Sequence, residues 1–460
     1  MNKKTVYVFI FLLVVLTAGY GYFNFIDTDP KETPDQQAEE QPREDRLPKT
    51  ELEGVEENIH GFDIEDDVEI TEELSREETD VLALKPPVTR EMLEDIDPDQ
   101  ENTVLKEYDS QLPENINGEL QYFAYNLSYN YFLITEEDGA EIREGPNPAN
   151  PLIGQVENLS KVSLLQRVEG EEVAGSNIWY RVAAEDGEEI NEGYLHSTAG
   201  KPRSFRFERM KEVINVLREE VAAGDLHFIS NYKNQNGTPP QEGDAAVDEH
   251  DYRVYHSAPA YEEPSTEANY RYAPDGKLVR ILNETDDFYH VNIPTFGDNF
   301  YIPKQYIDPD VRFNNLNHVL VVDNDQQNQA AFEVVEDGLN LVSYTLSTTG
   351  MAGEFSFRTS PGLYKAQEKR DRFQYLKKGE DEIAGYAPYA LRFSGGAYVH
   401  GIPVSYEEEN GERIDPGLTE YIHTIGTFPR SSMCVRNFTS HAEFIYNWMD
   451  NQSGAVLVID

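Results

Sequence analysis

The chain has 460 residues, more than one ordinary domain needs, and its 28 Tyr and 22 Phe can fill sizeable hydrophobic cores. With 86 Asp and Glu against 38 Lys and Arg, the formal net charge of −48 argues against nucleic acid as a partner, and against a basic patch that docks on an anionic membrane. The one cysteine, Cys434, excludes an intramolecular disulfide and a multi-cysteine zinc site.

Residues 1–26 have the pattern of a membrane segment. Lys3 and Lys4 precede an uncharged apolar stretch that ends at Phe23, about 19 residues long, which is enough to cross a bilayer as a helix. A cleaved signal peptide is the alternative, but no A-x-A site follows and no cysteine stands where a lipoprotein signal needs one. We therefore predict an uncleaved membrane anchor whose two lysines stay inside, so that the rest of the chain lies outside the cytoplasm.

An acidic segment follows the anchor. Residues 27–115 hold 31 Asp and Glu against 8 Lys and Arg, together with several prolines and almost no aromatic residues. Such a composition cannot bury enough apolar surface to offset the entropy of the chain. We therefore predict that residues 27–117 form a disordered tether.

Residues 118–200 change to short β-type runs separated by Gly, Pro, Asp and Asn, a texture that predicts a small barrel. The most distinctive runs are Arg143-Glu-Gly-Pro, Ile178-Trp-Tyr-Arg-Val and Gly193-Tyr-Leu-His. In these runs the segment resembles a bacterial SH3-like domain. The aromatic pair Trp179 and Tyr180 is typical of a barrel core.

Residues 201–249 are predicted to be a helix followed by a polar linker. Apolar residues recur at three-to-four spacing over 203–222, which predicts the helix, and residues 230–249 are polar with Gly and Pro. Residues 250–312 return to the β texture and resemble a second, divergent SH3-like domain.

Residues 313–460 begin with alternating strand-like runs and end with a helix and a strand. Ser440 and Glu443 have the spacing of a capping box, which predicts the start of the helix. Gly454-Ala-Val-Leu-Val-Ile predicts a buried closing strand. The whole chain is therefore predicted to be mostly β, with small SH3-like barrels followed by a β-rich domain that has one or two helices.

The segment around Cys434 carries the chemistry. It reads Ser431-Ser-Met-Cys-Val-Arg-Asn437 and lies just before the predicted helix. A thiol on a turn that leads to a helix start is favoured as thiolate, because unpaired N–H groups point towards it, and the same groups can hold an oxyanion. A nucleophilic cysteine also needs a base, which is normally a histidine.

Five motifs of this region occur together in a fixed order. They are Ser347-Thr-Thr-Gly350, Arg358-Thr-Ser-Pro-Gly-Leu-Tyr364, Phe393-Ser-Gly-Gly-Ala-Tyr-Val-His-Gly401, Ile425-Gly426 and Ser431-x-x-Cys-Val-Arg436. In these motifs the C-terminal region resembles the YkuD-type L,D-transpeptidase catalytic domain.

The resemblance implies an acyl transfer on peptidoglycan stem peptides, with no cofactor. The Cys434 thiolate would attack the donor tetrapeptide between its third residue and the terminal D-alanine, and an amine would then resolve the thioester. With water as the acceptor, the enzyme would be an L,D-carboxypeptidase. By the family motif, His400 is the base and the carbonyl of Gly401 orients it. Ser431 would shape the cysteine loop and Arg436 would bind the donor carboxylate.

The chain departs from the family pattern next to the nucleophile. Ser432 stands where the family usually has His, and Met433 stands where it usually has Gly, although Met still supplies an N–H for the oxyanion. An acidic insertion between His400 and Cys434 also places a rival base, His423, eleven residues before the cysteine. We favour His400, because His-Gly after an apolar strand is the family signature.

Two other functions remain open from the sequence. The first is a non-catalytic envelope protein that binds peptidoglycan through SH3-like modules and has a decayed transpeptidase domain, which the absent His at 432 favours. The second is a papain-like cysteine peptidase, which expects the cysteine before the histidine in chain order. The other histidines share no ligand spacing, so we predict no metal site.

Overall fold

The computed structural model describes residues 102–108, 110–125, 127–186, 189–241, 243, 245–353, 356–376 and 382–460. All of these residues belong to one compact unit, Leu47–Asp460. The predicted anchor, and the predicted tether up to residue 101, lie outside the described residues. The end of the predicted tether is not disordered, because Val104–Glu107 and the residues from Ile116 onward form strands that pair with later parts of the chain. None of the helices within the described residues combines the length and the apolar character that crossing a membrane requires.

The described part of the chain is mostly β, as the sequence predicts. Its two α-helices are α1 (Phe207–Ala223) and α2 (Thr439–Trp448). The strands are β1 (Val104–Glu107), β2 (Ile116–Gly118), β3 (Asn130–Ile134), β4 (Ala140–Arg143), β5 (Leu152–Val156), β6 (Lys161–Val173), β7 (Ser176–Asp186), β8 (Glu189–His196), β9 (Gly200–Ser204), β10 (Leu226–Phe228), β11 (Ser257–Tyr261), β12 (Tyr270–Pro274), β13 (Leu278–Glu284), β14 (Phe288–Asn292), β15 (Asn299–Pro303), β16 (His318–Asp323), β17 (Asn328–Val335), β18 (Gly338–Leu346), β19 (Gly362–Lys365), β20 (Lys369–Leu376), β21 (Ile383–Ser394), β22 (Ala397–His400), β23 (Val404–Ser405), β24 (Glu407–Glu409), β25 (Glu412–Ile414), β26 (Val435–Arg436) and β27 (Gly454–Ile459).

The first β module (residues 130–204) is one antiparallel sheet in the order β5-β4-β8-β7-β6-β3-β9, with β1 added on β6. Trp179 and Tyr180 are buried within it, as predicted. The predicted barrel is not confirmed, because among the described strands the two ends of this order, β5 and β9, do not pair.

The second β module (residues 226–303) is a six-stranded sheet in the order β10-β13-β14-β15-β11-β12. It has its own apolar core around Val279, Val291 and Ile302. Its described strands likewise do not close, so the second predicted barrel is not confirmed either.

The C-terminal region is built on a central sheet in the order β19-β27-β16-β17-β18-β2. Its β16 and β27 run parallel, with Val319 opposite Ala455. Both strands are almost continuously apolar because both faces of this sheet are covered, which is the usual condition of parallel strands. The predicted closing strand is confirmed as β27.

Helix α1 covers one face of the central sheet. Its Met210, Ile214 and Leu217 are fully buried in the same core as Val321 and Leu457. The helix begins at Phe207, later than the predicted start at 203, because residues 200–204 pair with β3 as strand β9. Although the sequence places it in a linker segment, the helix is part of the C-terminal core.

The opposite face of the central sheet packs on helix α2 and on a second, smaller sheet, the site sheet, in the order β20-β21-β22-β26. Val399 of β22 and Val435 of β26 enter this core together with Ile445 of α2. This shared apolar packing fixes the short strands β22, which ends at His400, and β26, which begins directly after Cys434.

The predicted capping box at the start of α2 is wrong. The helix begins at Thr439, its N-cap is Phe438, and no side chain of the cap residue accepts a hydrogen bond. Ser440 lies in the first turn, where its N–H donates to the carboxylate of Glu420 at 2.9 Å and its hydroxyl donates to the same group. A distant carboxylate thus satisfies the helix start in place of a local cap.

Candidate active site

Cys434 and His400 are brought together by two short parallel strands. Cys434 directly precedes β26, and β26 pairs with β22 so that Val399 lies opposite Val435 and His400 opposite Arg436. Cys434 is buried, with 1% of its surface exposed, and its Sγ lies 3.8 Å from the carbonyl oxygen of Gly396. The pairing of these strands therefore places the predicted nucleophile and the predicted base close together.

The imidazole of His400 has the orientation expected of a base. Its Nδ1 lies 2.6 Å from the carbonyl oxygen of Gly401. A carbonyl can only accept, so Nδ1 carries the proton and Nε2 keeps its lone pair. Burial lowers the pKa of His400 to about 4, although the bond to Gly401 opposes this change, and the nearby Arg436 lowers the pKa further. The ring is therefore neutral near pH 7 and able to accept a proton.

A small cavity of about 10 Å³, about the space of one water molecule, adjoins these groups. It is lined by Phe373, Tyr375, Ala387, His400, Pro403, Ser431, Cys434 and Arg436. Four residues singled out from the sequence, Ser431, Cys434, His400 and Arg436, therefore share one cavity.

Ser431 and Arg436 fix the two ends of the cysteine loop. The hydroxyl of Ser431 donates a short hydrogen bond to the carbonyl oxygen of Cys434. The backbone of Arg436 pairs with Thr348 in both directions, at 2.9 and 3.0 Å. Arg436 is buried, with 3% of its surface exposed, and it borders the cavity, where a cation can meet an anionic group.

The backbone N–H groups of the loop are turned inward. The N–H of Met433 donates to the carbonyl oxygen of Phe357 at 2.7 Å, and that of Cys434 donates to Ser432 at 2.8 Å. In this arrangement the amide of Met433 is not available to an oxyanion, in contrast to the expectation from the sequence. The amides at the start of α2 do not reach the thiol either, since those of Thr439 and Ser440 donate to Glu420.

Comparison with protein families decides the nature of this region. Residues 317–459 match the model of the YkuD family, the L,D-transpeptidase catalytic domain. The C-terminal region is a YkuD domain. Such domains belong to peptidoglycan transpeptidases, which act on the cell wall outside the cytoplasm.

Similarity to individual proteins is low. An L,D-transpeptidase from Mycobacterium smegmatis is 13% identical, with a TM-score of 0.25, and the match covers 65% of this chain and 100% of that one. A cysteine-to-serine mutant of the Enterococcus faecium L,D-transpeptidase is 14% identical, with a TM-score of 0.23 and coverage of 44% and 74%.

A fused Zn-dependent amidase/peptidase/peptidoglycan-binding protein from Clostridium acetobutylicum is 14% identical, with a TM-score of 0.22. The match covers 31% of this chain, and this chain spans about half, 52%, of that protein. At these scores the solved structures add no argument about fold or activity. No curated protein matches the chain.

Met433 takes a backbone conformation that suits the glycine usual at its position in the YkuD family. Its φ is 65°, in the left-handed region. The bond from Cys434 N–H to Ser432 carbonyl closes a γ-turn around Met433, and the positive-φ form of this turn is rare and strained. The turn therefore combines a backbone shape that glycine permits with a large side chain.

The rival base, His423, is bound through its backbone to the first β module. Its carbonyl oxygen accepts a hydrogen bond from Lys161 Nζ at 2.8 Å, and this lysine belongs to the first β module. Burial lowers the pKa of Lys161 to about 7. The cavity is lined by His400 and not by His423.

No pattern in the sequence indicates the apolar wall around the thiol. Phe373 of β20 and Ala387 of β21 belong to one cluster with Tyr398 and Cys434. The second β module also reaches this region, since Tyr232 OH lies 3.3 Å from Tyr398 OH. Hydrophobic periodicity marks such residues as core but does not show which core they share.

Proposed function

We propose that this chain is a cysteine-dependent L,D-transpeptidase that forms a thioester between Cys434 and a donor stem tetrapeptide. The observation that carries the proposal is the shared cavity of Cys434 and His400, with Nδ1 of the imidazole bonded to the Gly401 carbonyl. A neutral ring held in this tautomer presents Nε2 as the acceptor for the thiol proton.

The reaction has two halves. Nε2 of His400 takes the proton of Cys434, and the thiolate attacks the carbonyl between the third stem residue and D-alanine. Collapse of the tetrahedral intermediate breaks the C–N bond, and D-alanine leaves as an amine that receives the proton from His400. An acceptor amine then attacks the thioester and gives its proton to His400. The C–S bond breaks, and the released Cys434 thiolate takes the proton back from His400. Attack by water instead is the carboxypeptidase reaction.

The cavity suggests how the donor is held. We assign the donor carboxylate to Arg436, because this buried cationic residue lines the same cavity as the thiol. For the oxyanion we assign the amide of Cys434 rather than that of Met433. The bond of the Cys434 amide to Ser432 closes a three-residue turn and is bent, so it is weaker than the 2.7 Å bond from Met433 to Phe357.

The envelope setting follows from the same proposal. Residues 1–26 would hold the chain in the membrane and residues 27–101 would let the YkuD domain reach wall peptides, raising its effective concentration there. The two β modules would place it against its substrate. This arrangement rests on the sequence, because both segments lie outside the described residues.

A second function has a specific observation in its favour. The thiol is almost wholly buried and both neighbouring amides are engaged within the loop, as expected of a YkuD domain that binds peptidoglycan without catalysis. The cavity is also smaller than a stem peptide requires. An active enzyme must therefore open this wall when substrate binds.

The experiment that separates these functions measures acylation directly. The full-length protein is incubated with a disaccharide tetrapeptide, its intact mass is recorded, and released D-alanine is quantified. We expect an acyl adduct and D-alanine with the wild type and neither with Cys434→Ala. His400→Ala should abolish the adduct, whereas the matched variant His423→Ala should retain it.

The possible outcomes decide between the proposals. An adduct that survives His400→Ala and disappears with His423→Ala would refute the assignment of the base. Absence of both adduct and D-alanine with several stem variants, in a folded protein, would refute the enzyme and support the non-catalytic wall-binding function.

A further inference from the structure

The turn that precedes the nucleophile needs an explanation, because Met433 occupies a conformation that disfavours it. Two backbone contacts hold this residue. Its N–H donates to Phe357 at 2.7 Å, and its carbonyl oxygen accepts from Thr359 Oγ1 at 2.8 Å. A glycine would make the same two bonds without strain, so they do not account for the methionine.

The side chain of Met433 is held from outside the YkuD domain. Nη1 of Arg253 lies 3.8 Å from the Met433 sulfur, and the Arg253 guanidinium lies over the Phe357 ring, 4.6 Å from its centre. Phe357 is the residue whose carbonyl binds the Met433 amide. One arginine therefore touches both partners of the hydrogen bond that fixes the turn.

Arg253 is itself rigidly placed. It lies in the second β module, where it is buried, with 7% of its surface exposed. Its carbonyl oxygen accepts a hydrogen bond from Ser257 Oγ at 2.5 Å, and its backbone forms an isolated β-bridge with Val247. The ring of Tyr255 lies 5.3 Å from the guanidinium on another side. A side chain held in this way can hold another in turn.

The second β module is firmly attached where this contact occurs. The carboxylate of Asp275 and the guanidinium of Arg392, on β21, form a buried ion pair at 2.6 Å. Lys277 of the same module forms a β-bridge with Tyr364, and its Nζ donates to the carbonyl oxygen of Pro361 at 3.1 Å. These contacts fix the distance between Arg253 and the cysteine loop.

We propose that Arg253 is a positioning residue for Cys434, which keeps Met433 in its positive-φ turn and thereby sets the position of the thiol. Met433 is the residue next to the nucleophile, so a change of its φ rotates Cys434 directly. The second β module then completes the active site instead of serving solely as a wall-binding attachment. The consequence for catalysis rests on the proposed function, whereas the effect of Arg253 on the position and exposure of the thiol does not.

Alkylation of the thiol tests the inference without any transpeptidase activity. Because Cys434 is the one cysteine of the chain, the rate of iodoacetamide addition read from intact mass reports this residue alone. Arg253→Met removes the guanidinium at similar length. We expect alkylation to become about tenfold faster, equivalent to about 1.4 kcal/mol, because the strained turn relaxes and the buried thiol becomes accessible.

Met433→Gly supplies the decisive second background. Glycine takes the positive-φ turn without strain, so Arg253→Met should change the alkylation rate by less than about twofold when residue 433 is glycine. Arg271→Met is the matched control. Arg271 belongs to the same module and lies over the ring of Phe296, 3.7 Å from its centre, and it should alter neither background.

The outcomes are distinct from those of the proposed function. The role of Arg253 would be refuted if Arg253→Met changed the alkylation rate equally with methionine and with glycine at position 433, or changed it in neither case. Thermal unfolding of each variant identifies a general loss of fold. If the rates follow the expected pattern while no variant forms an acyl adduct, the positioning role stands and the enzyme proposal fails. In an active enzyme, Arg253→Met should also reduce the acylation rate about tenfold, with rescue by Met433→Gly.

Discussion

Gly350 allows the backbone of the cysteine loop to approach closely, and Gly350→Ala should disrupt this approach. The residue forms a parallel β-bridge with Ser431, and its N–H donates to Thr359 Oγ1 at 2.7 Å. A Cβ at this position would lie 2.4 Å from the carbonyl oxygen of Phe357, 2.6 Å from Met433 N and 2.8 Å from Met433 Cα. All three contacts are with backbone atoms, so no side-chain rotation relieves them.

The size of the effect follows from these distances. Ordinary contacts begin near 3.4 Å, so the two segments must separate by up to about 1 Å. That shift stretches the 2.7 Å hydrogen bond between Met433 and Phe357, which contributes about 1 kcal/mol. Together with overpacking, we expect Gly350→Ala to lower the unfolding free energy by about 2–3 kcal/mol. A displacement of about 1 Å next to the nucleophile should slow acylation of Cys434 about 100-fold.

The assay combines urea denaturation with the time course of the acyl adduct by intact mass. Gly118→Ala is the matched control, because a Cβ there meets only the side chain of Leu112, at 3.4 Å. It should change the unfolding free energy by no more than about 0.5 kcal/mol. If Gly350→Ala acylates within about threefold of the wild type and remains as stable, the loop is not held by this close approach and the reasoning is wrong.

Three further predictions concern stability. Burial lowers the pKa of His400 from 6.5 to about 4, so unfolding takes up a proton between these pH values. The unfolding free energy of the wild type, measured by urea denaturation, should therefore fall by on the order of 3 kcal/mol as the pH falls through this window. In His400→Gln this contribution to the pH dependence of the unfolding free energy should be absent. Asp275→Asn leaves Arg392 buried without its 2.6 Å partner and should lower the unfolding free energy by about 3 kcal/mol in the same measurement. The double variant Asp275→Leu with Arg392→Leu should lose less. Equal losses of unfolding free energy would contradict a role of the buried charge. Glu420→Ala removes the carboxylate that accepts hydrogen bonds from the first turn of α2. It should lower the unfolding free energy by about 1–2 kcal/mol and thereby the melting temperature. An unchanged melting temperature would show that water satisfies the helix start equally well.

Helix α1 and strand β27 show which parts of the fold could be predicted from local patterns. The apolar spacing of α1 and the unbroken apolar run of β27 arise from periodicities of a few residues, which a sequence displays directly. The capping box failed for the opposite reason. Ser440 has a suitable local partner in spacing, but Glu420, 20 residues away, provides its acceptor.

The candidate site also has residues that the sequence indicates and contacts that it does not. Cys434, His400 and Arg436 could be named from the sequence because their motifs occur in a family order, and the match over residues 317–459 confirms that family. The engagement of the Met433 amide by Phe357 could not be foreseen. The residues around Met433 and around Phe357 show no pattern that predicts which amide of one segment donates to which carbonyl of the other.

By itself, the sequence determined the mostly β character, the positions of the two described helices within a few residues and the transpeptidase family of the C-terminal region. These properties depend on residue order and on neighbours close in the chain. Tertiary structure alone decided that β2 pairs with β18, that Lys161 reaches the His423 backbone, and that Arg253 contacts Met433. Each of these contacts joins residues more than 150 positions apart, and such pairs meet only because separate apolar faces are buried against the same core.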